Sequence, residues 1–153
     1  MKLAEALQER ADLNNKISSL RERIRSNAIV QEGEKPAEKP ADLLKELDSA
    51  LTRLEELVKR INFTNSRTVC EERGGRTMTE LIAEKDTLRT KISVYTMLVT
   101  EASQTGQRAR YAEIRLLSTV DVVKMQKAVD EMSAELRKLD NAVQALNWTT
   151  ELL

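Results

Sequence analysis

Between residues 122 and 146 the apolar side chains return in alternating steps of three and four: Val122, Met125, Val129, Met132, Leu136, Leu139, Val143 and Leu146. Steps averaging 3.5 residues draw one line along one side of an α-helix, whereas a half-buried strand would alternate with period two. A line of this kind is buried by packing on another helix, as in a coiled coil. The rhythm is not confined to this segment. Leu3, Ala6, Arg10, Leu13, Ile17, Leu20 and Ile24 follow it, as do Leu44, Leu47, Leu51, Leu54, Val58 and Ile61. Leu81, Lys85, Leu88, Ile92, Tyr95, Val99 and Ala102 make a fourth line. Helices are therefore expected over about 2–28, 41–64, 78–103 and 119–147.

The interruptions support the same division. Pro36, Pro40 and Gly33 stand among charges in the segment 31–40, a strong helix break. Segment 66–76 reads as a loop, in which Thr68-Val69-Cys70 and Arg76-Thr77-Met78 have the spacing of a short β-hairpin turning at Gly74-Gly75. Thr77 and Glu80 form a capping box at the start of the third helix. Gly106 follows that helix where terminators belong, and Ser118-Thr119-Val120-Asp121 offers a cap for the last. Residues 107–118 fit either a short helix or an extended connection.

With only four glycines and two prolines in 153 residues, and 33% of them charged, the chain has the composition of long helices. The expected fold is all-α: one domain over 1–153, with long antiparallel helical hairpins forming a four-helix, coiled-coil-like bundle and a short β-hairpin near 68–78. The seams are narrow, and Leu7, Ile82 and Leu98 add apolar positions beside them. A homo-oligomer that completes the core between chains is expected, with a closed monomeric bundle as the alternative. Arg10 and Lys85 occupy seam positions. Either their long side chains carry the charge out past the bundle edge, or a buried charge fixes register or holds an anion.

The absence of histidine removes Ser-His-Asp and Cys-His triads, histidine zinc ligands and the Glu-x-x-His di-iron pattern. Gly74-Gly75 lacks the lysine and hydroxyl of a phosphate loop. The acidic groups Glu55/Glu56, Glu71/Glu72 and Asp130/Glu131/Glu135 read as solvated helix faces. Cys70, the single cysteine, lies near Arg67, Arg73 and Arg76 but has no base partner. No catalytic residue, metal ligand or cofactor is expected. Lys plus Arg equals Asp plus Glu at 25 each, so no general field attracts nucleic acid, and nucleic-acid binding is not expected. Arg108, Arg110 and Arg115 beside Tyr111 form a local basic cluster, read as a surface salt-bridge network or an anion contact. Trp148 reads as a packing anchor at the end of the last helix, or as an interaction residue. Asn62-Phe63-Thr64 and Asn147-Trp148-Thr149 match glycosylation sequons, taken as chance matches in a chain without a secretory route.

Glu5 interrupts the N-terminus before an apolar run develops, and the uncharged stretch 92–100 is far shorter than a membrane span. A cytoplasmic location is expected.

Several strings resemble the septicolysin-type family of small bacterial proteins. They are residues 2–13 (Lys-Leu-Ala-Glu-Ala-Leu-Gln-Glu-Arg-Ala-Asp-Leu), Val-Gln-Glu-Gly-Glu-Lys-Pro at 30–36, Arg-Ile-Asn at 60–62 and Thr-Asn at 64–65. Thr-Glu-Leu-Ile-Ala at 79–83, Ser-Thr-Val-Asp-Val at 118–122 and Leu-Asn-Trp-Thr-Thr-Glu-Leu at 146–152 complete the resemblance. It implies an all-helical bacterial protein, and the family name suggests cytolysis, but it carries over no catalytic residue. The function expected from the sequence is that of a non-enzymatic, self-associating structural or interaction protein. The alternatives are a membrane-active cytolysin-like protein and a small-molecule binder at a subunit junction.

Overall fold

The computed structural model of the chain describes residues 1–105 and 116–153. Among the described residues there are four long helices: α1 (Leu3–Ser26), α2 (Pro40–Arg67), α3 (Met78–Ala102) and α4 (Val122–Thr149). Strands β1 (Val69–Cys70) and β2 (Arg76–Thr77) lie between α2 and α3. The fold is all-α with one short β-hairpin, as the apolar rhythm and the breaks require.

Each helix begins on a local signal. Glu5 reaches back to accept the Lys2 N–H at 2.7 Å, satisfying a donor at the start of α1. Pro40 opens α2, where its missing N–H costs nothing. Thr77 and Glu80 form a reciprocal box, with Thr77 N–H donating to Glu80 Oε2 at 2.7 Å and Glu80 N–H to Thr77 Oγ1 at 3.3 Å. At α4 the cap is Asp121, whose Oδ1 accepts the Lys124 N–H at 3.0 Å.

The end of α2 differs from expectation. Asn62, Asn65 and Ser66 are poor helix formers, yet the helix continues to Arg67. Ile61 and Thr64 are buried and hold the last turns, and tertiary packing of this kind overrides a weak propensity. The Ser66 hydroxyl donates to the Phe63 carbonyl and the Thr68 hydroxyl to the Thr64 carbonyl. The hairpin then pairs Val69 with Thr77 and Cys70 with Arg76. Its reversal needs positive φ at Gly74 (+72°) and Gly75 (+73°), which glycine adopts without a Cβ penalty.

The chain divides into two compact units, 1–68 with 146–153 and 69–145. In the first, α1 and α2 pack as an antiparallel hairpin. Near the start of α1 and the end of α2 its core is dense: Leu3, Ala6, Leu57, Ile61 and Thr64 are buried, with Asn147 and Leu152 from the C-terminal segment. That segment is also joined by hydrogen bonds, Leu3 N–H to the Thr150 carbonyl and Leu152 N–H to the Met1 carbonyl, both 2.9 Å. Farther along the hairpin, only Leu20, Leu43 and Ala50 are buried.

In the second unit the buried apolar residues are Cys70, Met78, Leu81, Val129, Leu139 and Val143. Every apolar α4 seam position named above is buried or half-buried. Lys85, on the α3 seam, has a side chain only 15% exposed and donates to Asp140 Oδ1 of α4 at 3.1 Å. Lys85 thus keeps its charge at the seam, paired with Asp140. Arg10 is exposed, so its charge leaves the seam for solvent.

Candidate functional site

The α2 seam is where the structure departs most from the apolar rhythm. Facing α1 are Leu43, Ala50, Leu57 and Ile61, not the Leu44–Leu51 line. Leu44 is 47% exposed and Leu51 44%, while Leu47, Leu54 and Val58 are half-buried. α2 carries apolar residues at both sets of positions, a stripe wider than one helix can cover. Packing against α1 takes one edge of it and leaves Leu44 and Leu51 exposed on the other.

The ion pairs of the hairpin lie elsewhere. Arg53 holds Glu9 with two hydrogen bonds, at 2.6 and 2.9 Å, and Lys16 holds Glu46 at 2.9 Å. Arg23 pairs with Glu38 by donating from Nε and Nη2 to its two carboxylate oxygens, and Glu38 N–H donates to Asn27 Oδ1 at 3.0 Å. Positions 9, 16 and 23 step by seven along α1, while 53, 46 and 38 run the opposite way, so one flank is closed by three ion pairs. The loop 31–40 is thus tied back to α1 through Glu38.

These pairs set the acid response. The Arg53 hydrogen bond holds the Glu9 carboxyl below the usual glutamate value, as Arg23 does for Glu38 and Lys16 for Glu46. Arg73 lowers Glu135 in the same way, and Lys2 lowers Glu151. A carboxyl depressed in the folded state contributes stability that is complete above its unfolded pKa and is lost as pH falls through the lower folded value. The urea midpoint should accordingly stay level from neutrality to about pH 5 and fall below that. Glu9→Gln should make the fall shallower, and an unchanged acid limb would contradict the assignment.

The residues singled out by sequence fare differently. Arg108, Arg110, Arg115 and Tyr111 lie outside the described residues. Trp148 is 66% exposed and is no packing anchor; Asn147 and Leu152 fill that role from its two sides. Helical rotation explains this, since an asparagine one position back points inward and leaves the indole facing out. Trp148 borders a shallow groove with Ala4, Glu5, Gln8, Glu9 and Asp12. Cys70 is buried on β1, while Arg73 engages Glu135 and Arg76 engages Glu84. Of the acidic groups, Glu55 holds Lys59, Glu56 holds Arg53, and Asp130 accepts from Gln126. Among the described residues no three Asp, Glu or Cys side chains converge as a metal-binding set, and no helix is long and apolar enough to cross a membrane. Glu101 lines a shallow surface depression of about 300 Å³ with Leu98, Leu116 and Leu117.

These features define an all-α protein of paired helices with a small β-hairpin, in which Leu44 and Leu51 of α2 are left exposed. The chain belongs to a family of unknown function (DUF6847), whose family model matches residues 10–152. It is also similar to a solved structure, the crystal structure of a functionally unknown conserved protein from Corynebacterium diphtheriae. The two are 37% identical with a TM-score of 0.92, over 100% of this chain and 99% of that one. No curated protein matches the sequence.

Proposed function

We propose that this is a non-enzymatic structural or interaction protein that works by self-association, its helices completing a coiled-coil-like core between copies. The observation that carries this reading is the exposed leucine pair on α2. Leucines at 44 and 51 keep nearly half their surface in water on a helix otherwise rich in charge. Burying apolar area of this kind contributes roughly 25 cal/mol per Å². A matching apolar face supplied by another copy offers that burial.

The absence of histidine and the engagement of Glu9, Glu38, Glu46, Glu55 and Glu135 with cations support a non-catalytic role. The equal numbers of cationic and anionic residues support association by shape and apolar contact over a general field. A cytoplasmic location fits this reading.

Light scattering on the eluting protein at micromolar concentration tests it. A mass at a multiple of the 17.4 kDa chain is expected, and 17.4 kDa across the accessible range would overturn it. The septicolysin resemblance supplies the competing lytic reading. Dye release from vesicles by this protein at the same concentrations would replace self-association with membrane activity as the function.

A further inference from the structure

We propose that the α1/α2 hairpin binds a second copy of this chain through the flank opposite its ion pairs. The two hairpins lie face to face, with α1 of one copy against α2 of the other. This rests on the self-association proposed above and adds its surface and its geometry.

The two flanks of the hairpin are chemically distinct. One is closed by Glu9–Arg53, Lys16–Glu46 and Arg23–Glu38. At 100° per residue, Leu44 and Leu51 point about 160° away from Glu46 and Arg53 around α2. On α1, Ile17 and Ile24 lie on the edge of the seam nearer that open side and are themselves only half-buried. An apolar strip of Leu44 and Leu51 on α2, flanked by Ile17 and Ile24 on α1, therefore lies on the side without ion pairs. Two helices alone cannot cover both edges of a stripe this wide; four can.

The borders of the strip select the partner. On the α1 side it is edged by Arg10 and Arg21, both exposed; on the α2 side by Asp48 and Glu55, also exposed. Glu55 additionally holds Lys59 one step farther out. One border is thus basic and the other acidic, which makes the strip complementary to itself. A two-fold axis parallel to the helices sets the basic border of each copy against the acidic border of the other, twice. A two-fold axis across the helices would set arginine edge on arginine edge, and like charges across an interface are strongly disfavoured.

The in-chain pairs also fix the level at which the borders meet. Glu9 lies beside Arg53 and Lys16 beside Glu46, so Arg10 is level with about residue 52 of α2. That level falls between Asp48 and Glu55, about one helical turn from each. Arg10, the charged residue in the α1 seam, then has its role across the interface, not within the chain.

The test uses the full chain and three variants. Leu44→Glu with Leu51→Glu should give the single-chain mass with unchanged helicity, because neither leucine belongs to the buried core. The milder L44S/L51S pair guards against misfolding and should weaken association on the order of 100-fold. Arg10→Asp should also weaken it, and adding Asp48→Arg should recover the lost affinity. A wild-type protein that is monomeric at every concentration overturns the self-association itself. A wild-type oligomer whose mass survives both leucine pairs overturns this surface and leaves self-association standing. A leucine pair that dissociates the oligomer without recovery by the charge exchange overturns the parallel-axis geometry.

Discussion

Replacing Leu57 with alanine is expected to lower the unfolding free energy by about 2–5 kcal/mol, the range for removing a fully buried leucine side chain. Leu57 is completely shielded and sits in the densest part of the α1/α2 unit, where Leu3, Ala6 and Ile61 are also buried. The loss combines the transfer free energy of the deleted carbons with the cavity they leave. Collapse of that cavity is resisted on two sides: α1 is held to the C-terminal segment by the Leu3–Thr150 hydrogen bond, and α2 is tied to it through Arg60. Urea denaturation followed by circular dichroism measures the change. A loss below about 1 kcal/mol would mean that Leu57 is not a core residue of the folded chain.

The second large effect is expected at Thr64, the one fully buried hydroxyl among the described residues. Its Oγ1 donates to the Arg60 carbonyl at 2.8 Å and accepts the Leu153 N–H at 3.0 Å, while Arg60 Nε donates to the Leu153 carbonyl at 2.8 Å. Threonine thus stands at the centre of a small lattice joining α2 to the C-terminal segment. Valine has nearly the same shape and cannot accept that hydrogen bond. Thr64→Val should therefore cost about 1–3 kcal/mol, the penalty for stranding a partly buried donor. Thr64→Ser, which keeps the hydroxyl, should recover most of the loss and leave only the missing methyl group. Amide exchange at Leu153 separates the two causes: it should quicken in the valine variant and stay near wild type in the serine variant. Equal exchange in both would put the effect in packing alone.

Much of the architecture was legible because helical periodicity is a local signal. The α3 and α4 seams fall on the buried or half-buried side at nearly every position, and the Thr77–Glu80 box and the 69–77 hairpin form as their spacing implies. Errors arose where the outcome depended on what a face meets. Leu43, Leu44, Ala50, Leu51, Leu57 and Val58 form two overlapping lines on α2, and periodicity cannot say which of them α1 covers. Trp148 failed for a related reason. A large aromatic at a helix end is usually buried, but Asn147 occupies the inward position and takes the indole's place in the core. The ion-paired flank has a sequence signal, opposite charges stepping by seven at 9, 16 and 23 against 53 and 46. It becomes readable only once the hairpin register is known. Nothing in the sequence marked the candidate surface directly, because an uncovered leucine and a buried one are the same letter.

The central claim, that the exposed leucine pair of α2 is covered by a second copy, is tested most directly by hydroxyl-radical footprinting across a dilution series. Leu44 and Leu51 should be labelled readily when the protein is dilute. Protection should then grow with concentration, with the same midpoint at which the mass rises from 17.4 kDa toward twice that value. Leu44 and Leu51 labelling that stays constant while the mass doubles would contradict it.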